Sequence, residues 1–195
     1  LVSYWTMDNV SGNTLIDETG NNNGTIYGAT QVDGKIGKAL SFDGVDDYVD
    51  CGDKSDFDFG SNDFTLSAWV YPAVQGGSYV RNIITKWNTG SNKGTNEFIL
   101  NFSGTAGGTR HPRFAIESGT TTYSCGSPEE IPLKQWSYIL GKREGDYIHI
   151  YVNGVLKNST YVGNVSVNNV GRSLNLGRLG TQGYYLNGSI DDVMI

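Results

Sequence analysis

Proline is scarce in this chain of 195 residues, with only 4, and cysteine and histidine occur just 2 times each. No run of eighteen apolar residues exists, which excludes insertion of this segment into a membrane as a helix. Basic residues are outnumbered, 14 Lys and Arg against 20 Asp and Glu. The resulting net charge of −6 and pI near 4.8 argue against nucleic acid, whose phosphates would be repelled. His111 and His149 stand without a Cys or Asp arranged as a triad, and Cys51 belongs to no reactive-thiol motif. No catalytic residue is assigned. Cys51 and Cys125 form one disulfide in an oxidising compartment or remain two small buried thiols.

No ten-residue window carries a helical period. What is present instead is turn chemistry and strand formers: Gly reaches 27 residues and aromatics 12%. Short strands separated by turn residues at intervals of about 8–12 residues are the pattern of a sandwich. Leu40 and Phe42 alternate with Ala39 and Ser41, so two apolar side chains share one sheet face. Asp43-Gly44 then offers a turn, after which Tyr48 and Val49 resume a strand that can pair back. The partner expected for this region is the end of the chain, Gly188 to Ile195, so that the first and last strands meet in one sheet. Residues 8–25 read as a polar loop. Phe64, Leu66, Ala68 and Val70 share one face of a strand while Trp69 and Tyr71 share the other, which predicts a central strand covered on both sides. Trp5, Trp69 and Trp136 are accordingly expected in the core. Asn153-Gly154 is the strongest hairpin signal. With no internal repeat and no linker, residues 1–195 read as one domain, opening without an initiator Met or a leader and expected to be cut from a larger or processed extracellular protein. Sequons begin at Asn9, Asn23, Asn101, Asn158, Asn164 and Asn187, a pattern of exported chains.

Gly37-Lys38-Ala39-Leu40-Ser41-Phe42-Asp43-Gly44-Val45-Asp46-Asp47-Tyr48-Val49 resembles the G-x-A-L-x-F-D-G-x-x-D-Y-V signature of laminin-G-like jelly rolls in the concanavalin A-like lectin/glucanase superfamily. Phe64 to Val70, Gln135-Trp136-Ser137, Tyr151-Val152-Asn153-Gly154 and Gly188-Ser189-Ile190-Asp191-Asp192-Val193 continue the resemblance in order. Relatives run on past the last strand with a Tyr-Asn-Arg-like segment that this chain lacks. The resemblance implies an all-β fold: a two-sheet antiparallel β-sandwich (jelly roll, concanavalin A-like/LamG-like) with a concave face and a rim of loops.

The resemblance also implies a structural Ca²⁺ between an acidic Gly/Asn loop and the closing strand. Carried onto this chain, its ligands are Asp17, Gly20, Asn22 or Asn23, and Asp191, with Asp8 and Asp192 as further candidates. Carboxylate, amide and carbonyl oxygens are the donors this hard cation takes. The competing reading of the same loop is an Asx-turn network. For a sugar ligand, exposed rings with polar neighbours are needed, and Trp87, Tyr79, Arg81, His111, Arg113, Tyr123, Tyr184 and Tyr185 lie in or beside loops. Hydrolases of the superfamily carry an E-x-D-x-x-E strand, which is absent here, and Glu97 and Glu117 stand singly. The expected function is a non-catalytic binding or adhesion module, secreted or on the cell surface, recognising glycan or extracellular protein. A structural subunit of an extracellular assembly, with self-assembly, is the first alternative, and a polysaccharide hydrolase or lyase the second.

Overall fold

The computed structural model describes residues 1–73, 81–87, 97–103, 110–167, 171–180 and 184–195, with the side chain of Arg81 left out. In chain order the strands are β1 (Tyr4–Trp5), β2 (Val10–Ser11), β3 (Thr14–Leu15), β4 (Gly24–Tyr27), β5 (Thr30–Asp33), β6 (Lys38–Asp43) and β7 (Tyr48–Asp50). A 3₁₀ turn, Ser55–Phe57, precedes β8 (Phe64–Pro72), β9 (Arg81–Lys86), β10 (Phe98–Ser103), β11 (His111–Ser118) and β12 (Thr121–Gly126). The remainder are β13 (Ser137–Glu144), β14 (Tyr147–Val152), β15 (Val155–Tyr161), β16 (Asn175–Leu176) and β17 (Asn187–Met194). Every pairing among them is antiparallel. They form two sheets, β15-β14-β13-β8-β17-β6-β5 with β1 beside β17, and β12-β11-β10-β9-β16-β7-β4-β3-β2. This is the expected two-sheet sandwich.

The chain ends meet as the hydrophobic alternation requires. Ile190 lies opposite Leu40, and Trp5 opposite Val193. Both pairings put apolar side chains on the inner face, where Trp5, Leu40, Ile190 and Val193 are buried. The turn after Asp43 does not close a hairpin, however. β6 belongs to the first sheet and β7 to the second, so Asp43-Gly44 carries the chain across the sandwich edge. The polar stretch 8–25 also contains short paired strands, β2 to β3 and β3 to β4. The Asn153-Gly154 hairpin forms with Val152 opposite Val155.

Inside, Phe59, Phe64, Phe98 and Phe114 form an aromatic knot with centroid separations from 4.3 to 5.7 Å. Gly141 in β13 faces it: a Cβ there would stand 2.6 Å from Phe114 Cγ, so only glycine lets the ring lie flat against that strand. The expectation for the tryptophans is corrected in two of three cases. Trp5 is fully buried, but Trp69 and Trp136 are half-exposed on the outer face of the first sheet. β8 is central in its sheet, yet no second layer of described residues covers the side that bears Trp69.

The disulfide alternative is also corrected. Cys51 and Cys125 are free and buried. Cys125 is in β12, while Cys51 follows β7, and the sheet order between them is β12-β11-β10-β9-β16-β7. Five strand spacings of about 4.8 Å separate them by roughly 24 Å, far beyond the roughly 7 Å limit between bridged Cα atoms. Burial pushes both thiols up, Cys51 far more than Cys125, so neither is a nucleophile. A thiol reagent is therefore expected to label neither cysteine in the native protein and both after unfolding; a melting temperature that dropped on adding reductant would contradict this.

Candidate functional site

The outer face of the second sheet is built by alternation. In β10, Leu100 and Phe102 enter the core, so Ile99 and Asn101 point outward. Ile99 lies opposite Thr85 and Ala115, and Asn101 opposite Asn82 and Arg113. Ile99, Ala115 and Leu179 form a small apolar cluster against which Trp87 packs. Beside it runs a hydrogen-bonded row. Arg113 Nε donates to Asn101 Oδ1 at 3.0 Å, Asn101 Nδ2 to Asn82 Oδ1 at 3.4 Å, and Asn82 Nδ2 to the Tyr184 carbonyl at 2.6 Å. Burial pulls the Arg113 pKa down.

On the other side of the apolar cluster, Thr85 Oγ1 donates to the Arg178 carbonyl at 2.7 Å. Arg178 then reaches three partners: Nε donates to Asn175 Oδ1 at 2.9 Å, Nη2 lies 3.4 Å from Asp50 Oδ2, and the guanidinium sits 3.5 Å from the Tyr48 ring centroid. Tyr48 stacks on Tyr27 at 4.5 Å and lies 6.4 Å from Tyr185. A cavity of about 160 Å³ opens among Asp50, Trp87, Arg172, Asn175 and Arg178. An indole wall thus stands beside a carboxylate, an amide and a guanidinium fixed by mutual hydrogen bonds. This set offers an apolar surface for C–H groups together with donors and acceptors for hydroxyls.

Of the residues expected to bind ligand, Trp87 lines this cavity, Arg113 anchors the polar row, the Tyr184 carbonyl accepts from Asn82 at its other end, and the Tyr185 ring lies 6.4 Å from Tyr48. His111 is elsewhere, with Nδ1 3.1 Å from the Ser127 carbonyl and Nε2 3.8 Å from Glu130. Tyr123 packs against the main core. Tyr79 and the side chain of Arg81 lie outside the described residues. Tyr27, Tyr48, Asp50, Asn175 and Arg178 were not singled out by sequence. A signal existed for two of them: Tyr48 and Asp50 flank the buried Val49, so both must face outward.

The expected calcium ligands divide into two groups. Asp17 is buried, and its oxygens accept from Tyr4 N–H and Thr19 N–H on one side and from Thr19 Oγ1–H and Asn22 N–H on the other. These bonds occupy all the lone-pair sites a carboxylate has and hold its pKa down against desolvation. Asn23 Oδ1 accepts from Asp17 N–H, Gly20 N–H donates to the Asp17 carbonyl, and Asn22 Nδ2 donates to Ser3 Oγ and Asp56 Oδ2. Asp17 and the backbone around it thus form an Asx-turn network.

Asp191 faces a different segment. Its Oδ2 accepts from Lys35 N–H at 2.8 Å and Ile36 N–H at 2.9 Å, while its Oδ1 is buried without a partner. Asp8 Oδ1 accepts from Lys38 N–H at 2.6 Å in the same turn. A Cβ on Gly34 would meet Asp191 Oδ2 at 2.6 Å and the Lys38 carbonyl oxygen at 2.8 Å, and one on Gly37 would meet Asp8 Oδ1 at 2.3 Å. Asp191 and the Lys38 carbonyl therefore lie against Gly34, and Asp8 against Gly37, at the two ends of the Gly34–Gly37 turn. Asp192 is turned toward Tyr4, whose hydroxyl donates to it at 2.6 Å. Among the described residues, three carboxylates, Asp43, Asp46 and Asp47, also lie within 4.8 Å of one another. Asp43 Oδ1 and Asp47 Oδ2 are taken up by local N–H groups.

No curated protein sequence matches the chain. Solved structures do, and the three that follow match at identities that speak for the fold alone. Domain 4 of AbnA, a GH43 extracellular arabinanase from Geobacillus stearothermophilus solved in complex with arabinotriose, is similar with a TM-score of 0.76 and 23% identity, over 99% of this chain and 90% of that one. The binding domain of Paraclostridial Mosquitocidal Protein 1 follows at 0.72 and 14%, over 97% of this chain and 47% of that one. A mutant Trypanosoma rangeli sialidase displaying trans-sialidase activity gives 0.69 and 14%, over 98% of this chain but 30% of that one. The Laminin_G_3 family profile matches residues 43–195, a span that begins at the crossing turn and runs through the closing strand. On that match, with the sandwich topology beside it, the chain belongs to this laminin-G-like family of the concanavalin A-like lectin/glucanases superfamily.

Proposed function

We propose that the protein is a non-catalytic, extracellular glycan-binding module that holds one end or segment of a neutral saccharide on the outer face of its second sheet. The observation that carries this reading is the cavity where Trp87 stands beside Asp50, Asn175 and Arg178. Its ring supplies a stacking surface, and the three polar groups are pre-oriented by one another, so little side-chain entropy is lost on binding. Asp50 is engaged by Arg178 and by Gly52 N–H, a role as hydroxyl acceptor rather than proton shuttle. The likeness to a domain solved with arabinotriose and to a toxin's binding domain supports binding over turnover.

A structural Ca²⁺ belongs to the same proposal, at the Gly34–Gly37 turn rather than in the 17–23 loop. The unpartnered Asp191 Oδ1 and the all-oxygen donor set fit this cation. Asp191, Asp8 and the Lys38 carbonyl would hold it, and its charge would tie the closing strand to the β5–β6 turn.

Trp87→Ala and Arg178→Ala are each expected to weaken retention by soluble arabinan, or whichever neutral polysaccharide the protein binds, by at least tenfold, equivalent to about 1.4 kcal/mol. Calorimetry and affinity gel electrophoresis read this directly. Release of reducing ends from the same polysaccharide, abolished by an Asp50 substitution, would replace the binding reading with an enzymatic one.

A further inference from the structure

We infer that the outer face of the first sheet is a second carbohydrate surface, which receives an uncharged polysaccharide chain across β14, β13 and β8. This surface stands on observations separate from the Trp87 cavity, since the two outer faces lie on opposite sides of the sandwich.

Its origin is strand alternation. β8 commits Phe64, Leu66, Ala68 and Val70 to the core, so Thr65, Ser67, Trp69 and Tyr71 face outward. β13 turns Tyr138, Leu140 and Lys142 the same way, and β14 turns out Tyr147, His149 and Tyr151. Register then sets them side by side. Tyr138 is opposite Trp69, with ring centroids 5.3 Å apart, and Tyr151 is opposite Leu140. Trp136 extends the array by packing on Tyr71 at 5.4 Å.

A trough crosses this array. Two depressions of about 480 and 380 Å³ adjoin each other at Thr65, Tyr138 and Leu140, which line both. Aromatic rings on an open sheet face are costly to leave wet and mark an interaction surface. The chemistry selects the partner. Each tyrosine presents a flat apolar face with a hydroxyl at its edge, and Thr65 adds another hydroxyl on the floor. That mixture matches the alternating C–H faces and hydroxyls of a sugar chain.

Charge narrows the class. Along the trough, the Lys142 ammonium lies 2.7 Å from the Glu144 carboxylate and Asp63 Oδ1 accepts from Gly145 N–H. The nearby Lys35 ammonium sits 5.0 Å over the Trp69 ring. A surface of balanced charge on a protein of net charge −6 complements an uncharged polymer. It does not attract a polyanion, and its two lysines do not make the strongly basic face with which amphipathic segments lie on anionic membranes, although Leu1, Val2, Leu140, Met194 and Ile195 add aliphatic surface along the trough. With ligands on both faces, one copy could bridge two chains and gain avidity from doing so.

The test compares wild type, Trp87→Ala, and the double variant Tyr138→Thr with Tyr151→Thr. Threonine keeps strand propensity at these half-exposed sites, and a melting curve checks the fold. Probes are arabinan, xylan, mannan and mixed-linkage glucan, with polygalacturonate and anionic lipid vesicles as charged counterparts. We expect the double variant to lose at least tenfold in affinity for one neutral polysaccharide, on which Trp87→Ala retains the larger part of its binding. Only the wild type should aggregate that polysaccharide in turbidity measurements. As a readout that needs no substitution on this face, acrylamide quenching in Trp87→Phe reports Trp69 and Trp136, because Trp5 is buried; it should fall when the polysaccharide is added. Unchanged binding by a folded double variant overturns the inference. So do wild-type binding confined to polygalacturonate or vesicles, no binding to any neutral polysaccharide, and a wild-type dimer in sedimentation that the double variant abolishes. Loss of binding in Trp87→Ala alone would leave the proposed function standing and remove this one.

Discussion

Asp58→Ala should lower the melting temperature by roughly 6–12 °C, the size expected of about 3 kcal/mol in a chain of this length, whereas Lys86→Met should stay within a few degrees of wild type. The asymmetry follows from where the charges sit. Lys86 lies opposite Phe98, its side chain is wholly buried, and its ammonium is 2.6 Å from Asp58 and 3.4 Å from Asp53. The two carboxylates keep 21% and 36% exposure, so water still serves them if the lysine goes. The lysine, wholly buried, keeps only the more distant Asp53 at 3.4 Å of these two partners. Removing Asp58 takes away its closer carboxylate, a loss at the low end of the about 3–5 kcal/mol that breaking a buried pair on one side costs. Lys86→Met removes the desolvation problem along with the attraction and fills nearly the same volume, an exchange that is often close to neutral. Asp58 also closes the 3₁₀ turn that seats Phe57 in the core, but through its backbone N–H to the Ser55 carbonyl, a bond the alanine variant keeps. Chemical denaturation of both variants decides the matter. Equal losses would mean that lysine packing, rather than the ion pair, sustains the region.

Much of this architecture is written in alternation, and its reach is visible residue by residue. Leu40 and Phe42 against Ala39 and Ser41 told which side of β6 is inside, and Ile190 and Val193 told the same of β17, so the meeting of the chain ends was legible. The Asp43-Gly44 turn was not, because a turn signal fixes where the chain bends and not whether it returns to its own sheet or crosses to the other. Trp69 and Trp136 were misplaced for a related reason. Alternation says that Trp69 points away from Leu66 and Val70, but whether that side is covered depends on layers the pattern does not encode. For the proposed calcium, sequence proximity favoured Asp17 with Asn22 and Asn23, residues that are hydrogen-bonded among themselves and their neighbours. The approach of Asp8 and Asp191 to the Gly34–Gly37 turn joins positions more than 150 residues apart, and it depends on β17 lying beside β6. The candidate glycan cavity is likewise an assembly of β7, β9, β16 and the segment after it, of which only Trp87 announced itself, as a bulky ring at a polar strand end.

Asp191 gives the sharpest test of the proposed metal turn through pH. Burial, with the Asp192 charge beside it, pushes its carboxyl from 3.8 up to about 6 despite the N–H groups of Lys35 and Ile36. A group whose folded pKa is raised contributes stability that is complete below the unfolded value and is lost as pH rises through the folded one. Metal-free protein should therefore melt at a higher temperature at pH 5 than at pH 7.5, by roughly 3–6 °C for the about 1.4 kcal/mol that such a shift releases between those two values. Millimolar Ca²⁺ should erase that difference at pH 7.5, where the carboxylate is free to ligate, and should have little effect below pH 5, where protons compete for the same oxygens. Asp17 does not confuse the reading: its pKa is lowered, so its contribution disappears only as pH falls below the ordinary carboxylate range. Asp47 is raised by burial and adds a trend of the same sign, which is why the comparison with Asp191→Asn matters. That variant keeps the hydrogen-bonding shape while removing the charge, so it should show a flatter profile between pH 5 and 7.5 and no response to Ca²⁺. An Asp191→Asn protein that Ca²⁺ stabilised as strongly as wild type would move the ion elsewhere, and metal-free wild type that lost stability between pH 7.5 and 5 would refute the buried-charge account of the turn itself.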